Sequence, residues 1–383
     1  MFKPRIAIFG ASGFVGSALV ERLYFNKGYE FKALIHSFGN TAQLSRLPIK
    51  LTPVDVLDFD QVNRTLSGCN VVVNCSRGSD VTMLKGLKNI IKASQKNKIE
   101  KFIHIGSIAI YGNNPPPGSS KETATPAPGA NSYGVMKLKQ DEMVLKLHAS
   151  GIPSIILCPS NISGPYSPFV FGAALKLLSN EIILVDDGKY PTNLIHVDNL
   201  VEAILTAIES DKGLGERYFI NEVEQTTWKE FYEELKEILG VKRELVSIPR
   251  DEVTRELEKS AKDINFMDNL RVLKSREFRT AMSIFPAFKK LDDFVCNIFF
   301  SQKPEIQDKL RLKLMGPVII AKETKRINAN DPYIRVQIRQ VYHSPEKMIS
   351  KINYSPFLYS QQRKETTASW FRFINLSNNC QYA

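Results

Sequence analysis

The sequence predicts an α/β fold, a Rossmann-type doubly wound parallel sheet with a smaller C-terminal α/β lobe that faces the substrate. Three observations predict it. Short β-branched runs alternate with helix-period segments through the first 165 residues, a glycine-rich turn joins the first run to the first helix, and Gly and Pro become denser from about Pro159 onward. Strands are expected near residues 4–9, 31–35, 50–54, 70–75, 101–106 and 153–157, with helices near 13–26, 41–46, 58–67, 80–97 and 132–150. Such sheets bind ligands beyond the carboxyl ends of their strands, so residues just after each strand carry most of the functional weight.

Beyond Pro159, the segments Gly164-Pro165-Tyr166-Ser167-Pro168 and Asp186-Asp187-Gly188 read as turns of the second lobe. Helices are expected near 197–209 and 227–239, the second opened by Thr226 or Thr227 as cap, with acids in its first turns. The expected division is residues 1–165 for the Rossmann domain and 166–383 for the substrate lobe, part of which returns to the sheet. Residues 251–332 read as largely helical and carry no recognisable motif.

Composition narrows the function classes. A hydrophobic fraction of 43% over 383 residues suits a globular protein that folds alone. The opening run Ile6-Ala7-Ile8-Phe9 is too short for a secretion signal, and no apolar stretch reaches the roughly 20 residues that span a bilayer. Five scattered cysteines (Cys69, Cys75, Cys158, Cys296, Cys380) lack CxxC spacing, so neither a zinc site nor a redox pair is expected, and a reducing cytoplasm fits. The net charge of +11 is concentrated late, with 24 Lys and Arg against 15 Asp and Glu in residues 249–383. These basic residues alternate with acids, which reads as a solvated surface and not as a nucleic-acid-binding face.

The turn Gly10-Ala11-Ser12-Gly13-Phe14-Val15-Gly16 follows the first strand directly and opens a helix through Ala18, Leu19 and Leu23. In that context its glycines have separate tasks. Gly10 permits the tight turn, Gly13 lets the backbone approach a pyrophosphate, and Gly16 allows close helix–strand packing, while free N–H groups and the helix dipole meet the negative charge. A dinucleotide is the expected ligand, with Ser12, Phe14 and Val15 beside the glycines.

Tyr133 and Lys137 stand four apart, on one face of an expected helix, and Ser107 ends the fifth strand about 25 residues earlier. A free tyrosine has a pKa near 10, but a neighbouring ammonium and an oxidised nicotinamide both favour its phenolate. Tyr133 is therefore the expected acid/base toward a substrate carbinol. Ser107 donates a hydrogen bond to the same oxygen, and Lys137 supplies charge and holds the nicotinamide ribose.

The GxxGxxG spacing, the Ser after strand five, the YxxxK pair and Pro159-Ser160-Asn161 after strand six together resemble the extended short-chain dehydrogenases/reductases, the NAD-dependent epimerase/dehydratase group. The resemblance covers roughly residues 4–245, with a weaker echo between Tyr342 and Phe371. It implies an NAD- or NADP-dependent oxidoreductase or epimerase. By the resemblance, Asp55 and Val56 hold the adenine, Ser76 lines the cofactor, Pro159 and Ile162 pack on the nicotinamide, and Asn161 touches substrate. No Asp or Glu ends the second strand to repel a 2′-phosphate, and His36 stands where NADP-preferring relatives often carry Arg, which tips the expectation towards NADP. Arg77 is open between a phosphate contact and plain exposure. His196 and Asp198 read as structural, and Glu122 as an acid of the loop before Tyr133 that is either functional or merely solvated. A homodimer through the fourth and fifth helices is a further expectation by resemblance.

Departures from the family shape the substrate expectation. Thr192 stands where nucleotide-sugar enzymes of the group usually place an Arg for the diphosphate, Cys158 where another Arg is common, and Met83 where an Asn is. Ile108-Ala109 replace the acidic pair of the 4,6-dehydratases, which disfavours dehydration. The small-molecule substrate is expected to be a lipophilic ketone or alcohol, or a sugar nucleotide if the late basic residues supply the missing charge. The aromatic run from Met282 to Phe300 reads first as a core helix, and otherwise as a cover for a lipophilic substrate or a membrane-surface contact. A reading of another class is a cofactor sensor or scaffold without catalysis.

Overall fold

The computed structural model describes residues 4–129, 132–179, 183–262, 331–357, 360–374 and 376. In chain order the first half comprises β1 (Arg5–Phe9), α1 (Phe14–Phe25), β2 (Glu30–Ile35), β3 (Leu51–Pro53), α2 (Phe59–Leu66), β4 (Val71–Asn74), α3 (Leu87–Lys96), β5 (Lys101–Ile105), α4 (Ser132–Ala149) and β6 (Ser154–Pro159). There follow β7 (Asn161–Ser163), α5 (Pro168–Leu178), β8 (Ile183–Val185), β9 (Leu194–His196), α6 (Val197–Glu209), β10 (Glu216–Ile220), α7 (Trp228–Leu239), β11 (Val246–Ile248) and α8 (Arg250–Lys262). Beyond residue 330 lie α9 (Pro332–Gln337), α10 (Glu346–Ile352) and α11 (Ser360–Phe373).

Seven parallel strands form the main sheet in the order β10-β6-β5-β4-β1-β2-β3. Alternation within each strand divides the core between its two faces. Ile6, Ile8, Val71, Val73, Ile103 and Ile105 pack with α1 and α6 on one side. Ala7, Phe9, Val72 and Phe102 pack with α2, α3 and α4 on the other. The strand order reverses beside β1, between β2 and β4, and so opens a crevice at the carboxyl edge where β1 ends.

A third core belongs to the second lobe, where Trp228, Phe231, Tyr232 and Leu235 of α7 meet Val170 and Leu177 of α5 and Trp370 and Phe371 of α11. Thr227 and Glu230 form a reciprocal capping box at the start of α7, and Gly240 ends the helix in the left-handed region. Compactness divides the chain into one unit of Met1–Arg250 with Pro332–Ala383 and a second of Asp251–Asp331. Met282 to Phe300 lie outside the described residues. Among those described, no helix is long and apolar enough to cross a membrane.

Two elements differ from expectation. Residues 41–46 form no helix: a 3-10 turn at Phe38–Asn40 leads into turns in which Leu44 and Ser45 both donate to the Thr41 carbonyl. With Gly39 before it and Pro48 after it, the segment is too short to repay helix nucleation. The helix expected over 80–97 is present from residue 80, but it carries a π-helical turn, Thr82–Gly86, before α3. Gly86 lies so close to Val56 that a Cβ there would stand 2.7 Å from its Cγ2.

Candidate active site

The cradle at the end of β1 is made by backbone. Gly10 has φ +77°, and a Cβ on it would lie 2.8 Å from the Ser76 Cα, so both its conformation and its contact with the strand-four loop require glycine. A Cβ on Gly16 would overlap the Gly10 carbonyl oxygen, which is the close packing of helix on turn that the spacing predicts. Gly13 caps α1 in an extended conformation and is exposed. The first-turn N–H groups of α1, from Phe14, Val15 and Gly16, have no carbonyl within their own helix and lie at the positive end of its dipole. Ser12 beside them is partly exposed. The charge and donor set of this cradle suit a pyrophosphate.

His36 is exposed immediately beyond β2. Asp55 follows β3, its carboxylate accepting from the Leu57 N–H at 2.9 Å. Val56 is held by Gly86 and by Asn89, whose amide donates to the Val56 and Leu57 carbonyls at 3.0 and 3.1 Å. Ser76 is fixed beneath by Asn74, whose side-chain oxygen accepts from the Ser76 hydroxyl at 2.6 Å.

Beyond β5 the three expected catalytic residues come together. A Cβ at Gly134 would overlap the Ala109 carbonyl, so the first turn of α4 sits directly on the 3-10 turn that follows Ser107. The Ser107 Oγ accepts from the Ala109 N–H at 3.2 Å. Lys137 is 4% exposed, its ammonium donating to the Ile105 carbonyl at 2.8 Å and lying 6.0 Å from the centroid of the Tyr133 ring. Arg77, left open by the sequence, has its guanidinium carbon 4.9 Å from the same centroid.

Below this group lies a polar floor that no local signal in the sequence announces. His104 is fully buried against Asn74, and burial, with Lys137 nearby, holds it neutral, well below the ordinary imidazole range. Burial likewise pushes the Cys75 thiol up to about 12, against the pull of Lys137. One turn past Lys137, Asp141 is buried under Gly106 and paired with Arg217 of β10 at 2.7 Å. The desolvation of Asp141 outweighs its pairing and raises it to about 6, while the pairing raises Arg217. The spacing of Asp141 after Lys137 was visible in the sequence; its partner on β10 was not.

The remaining expectations resolve individually. Pro159 ends β6 opposite Ile220, and Ile162 of β7 packs partly buried on the core. The side chain of Asn161 donates to the Thr192 carbonyl at 2.7 Å. Thr192 is itself buried and donates to Thr226 at 2.7 Å. His196 caps α6 through its Nδ1, which accepts from the Asp198 N–H. Glu122 is half-buried, and its carboxylate accepts from the Phe219 N–H at 2.7 Å, so it ties its loop to β10. Burial raises the Glu122 carboxyl.

A parallel sheet whose reversal point carries a glycine cradle, with a tyrosine and a lysine one helical turn apart beyond the fifth strand, defines a nicotinamide-dependent oxidoreductase. Residues 6–220 match the NAD dependent epimerase/dehydratase family, and the chain belongs to that family. It is 23% identical over 256 residues, 64% of this chain and 76% of the relative, to a 4-hydroxy-2-methyl-3-oxo-4-farnesyl-3,4-dihydroquinoline-1-oxide ketoreductase of Stigmatella aurantiaca. It is 25% identical over 278 residues, 66% of this chain and 85% of the relative, to a UDP-N-acetyl-alpha-D-glucosaminuronate decarboxylase of Bacillus cytotoxicus. The fold is shared with a dTDP-glucose 4,6-dehydratase of Bacillus anthracis crystallised with NAD, at a TM-score of 0.64 and 16% identity over 97% of each chain.

Proposed function

We propose that this chain interconverts a secondary alcohol and its ketone, with Tyr133 as acid/base, Ser107 as the donor that orients the reacting oxygen and Lys137 as electrostatic support. The observation that carries the proposal is Lys137: an ammonium taken out of water needs a purpose, and this one is held by the Ile105 carbonyl beside the Tyr133 ring. A bound nicotinamide accepts or returns the hydride at its C4. In the oxidative direction the Tyr133 phenolate takes the carbinol proton as the C–H bond is lost, and the Ser107 hydroxyl donates to the oxygen as it becomes a carbonyl. Gly10 to Gly16 hold the pyrophosphate, Asp55 and Val56 line the adenine, and Pro159 and Ile162 stand against the nicotinamide, with Asn161 on the substrate side. His36 in place of a carboxylate after β2 favours NADP over NAD.

Thr192, buried and committed to the Thr226 carbonyl, offers no clamp for a diphosphate. That favours a ketone or alcohol without a nucleotide over a sugar nucleotide. The test is Tyr133→Phe. Turnover is expected to fall by about 10² to 10⁴ with cofactor affinity retained; an equally active variant would remove Tyr133 from the chemistry.

A further inference from the structure

We propose that Arg77 reads a carboxylate on the substrate, so that the site takes hydroxy or oxo acids in preference to their neutral counterparts; this rests on the alcohol–ketone reading and names the substrate class for the same site. Arg77 lies three residues past the end of β4, on the carboxyl edge of the sheet where ligands bind. Its guanidinium stands 4.9 Å from the Tyr133 centroid. Placed over the ring at this distance, the guanidinium keeps its five N–H donors, set in a rigid fork, for an acceptor.

The other cations around the site are committed. Lys137 donates to the Ile105 carbonyl, Arg217 to Asp141, and Arg339 to the Gly112 carbonyl at 3.1 and 2.7 Å. Arg77 differs: among the described residues its ring contact with Tyr133 is its sole partner, and no carboxylate lies in salt-bridge reach. An exposed arginine over the ring of the proposed acid/base, with its fork unoccupied, is placed to meet part of the molecule whose oxygen Tyr133 would bind. A carboxylate a bond or two from the reacting carbon satisfies the fork in a bidentate, charge-assisted way. A neutral ester of the same skeleton does not.

The experiment measures kcat/KM for 3-hydroxyoctanoate and for methyl 3-hydroxyoctanoate, with saturating NADP⁺ or NAD⁺, in the native protein and in Arg77→Ala and Arg77→Lys. The native protein is expected to prefer the acid by about tenfold or more, the worth of one charge-assisted pair. Arg77→Ala is expected to bring the acid-to-ester ratio near one, and Arg77→Lys to keep part of the preference. Using the ratio separates recognition from any general effect of Arg77 on Tyr133, since that effect slows both substrates alike. An unchanged ratio in Arg77→Ala overturns the proposal, as does a native protein that turns over neither compound or favours the ester. A large loss of NADPH and NADH affinity in Arg77→Ala also overturns it, by making Arg77 a cofactor ligand. Failure of the native protein to bind either dinucleotide would instead defeat the reading on which the proposal rests.

Discussion

The loop beyond β1, in the middle of the sheet, and the surroundings of the edge strand β10 are built in opposite ways. At β1 the cradle is contiguous chain, Arg5 to Gly16, whose function lies in backbone direction and in side chains that are missing. At β10 the surroundings are assembled from side chains distant in sequence. Asn193, itself in the left-handed region at φ +49°, accepts through its side-chain oxygen from Asn221 at 2.9 Å and from the His343 N–H at 3.0 Å, and donates to the Val341 carbonyl at 3.0 Å. His343 is buried between the rings of Tyr111 and Phe219, at 5.7 and 4.7 Å, and Arg339 is buried on the Gly112 carbonyl. The lesson is that a site written in backbone tolerates no added atom, whereas one written in side chains depends on a few buried polar pairings and on pH.

The sharpest way to break the contrast is Gly10→Val. It demands a left-handed β-branched residue and drives a side chain into Cys75 and Ser76, so dinucleotide affinity measured by NADPH fluorescence is expected to fall by more than about a hundredfold. At β10, Arg217→Met strands the buried Asp141 carboxylate, and urea unfolding at pH 8 should show a loss of about 3–5 kcal/mol. The loss should shrink at pH 5. Asp141 is already raised to about 6 in the native fold, so the folded state holds a proton there that the unfolded chain releases, and stability from this group falls as pH rises from about 4 to 6.

His343 works with the opposite sign. Burial lowers it to about 3, so below the ordinary imidazole pKa the unfolded chain takes up a proton that the fold refuses, and stability is lost as pH falls from about 6.5 towards 3. His343→Phe should therefore lose less stability than the native protein between pH 7 and pH 5, by about 2 kcal/mol, in paired urea titrations. The smallest effect expected is Thr227→Ala, which removes one half of the capping box of α7 and costs about 1 kcal/mol by thermal unfolding.

The same contrast decides what was legible in the sequence. The six expected strands, the glycine turn and the Ser107, Tyr133 and Lys137 grouping follow from local rules: period-two burial, glycine at a forced turn, and two side chains one helical turn apart. Helix α6 falls on its expected residues, since its apolar period is long and Asp198 marks its first turn. What local rules do not carry is pairing across the sheet. Nothing in the sequence joins Asp141 to Arg217, or Asn193 to His343 across 150 residues. Glu122 shows the limit plainly: its loop reads as either functional or solvated, yet its carboxylate serves the backbone of a strand 97 residues away.

Titration with NADPH and with NADH, in the native protein and in Lys137→Met, probes the dinucleotide site without any need for a substrate. Saturable binding of at least one nucleotide is expected for the native protein, and weaker binding, by about tenfold, for the variant that lacks the ammonium proposed to hold the ribose. Absence of saturation with both nucleotides, or equal affinity in the two proteins, would contradict that expectation.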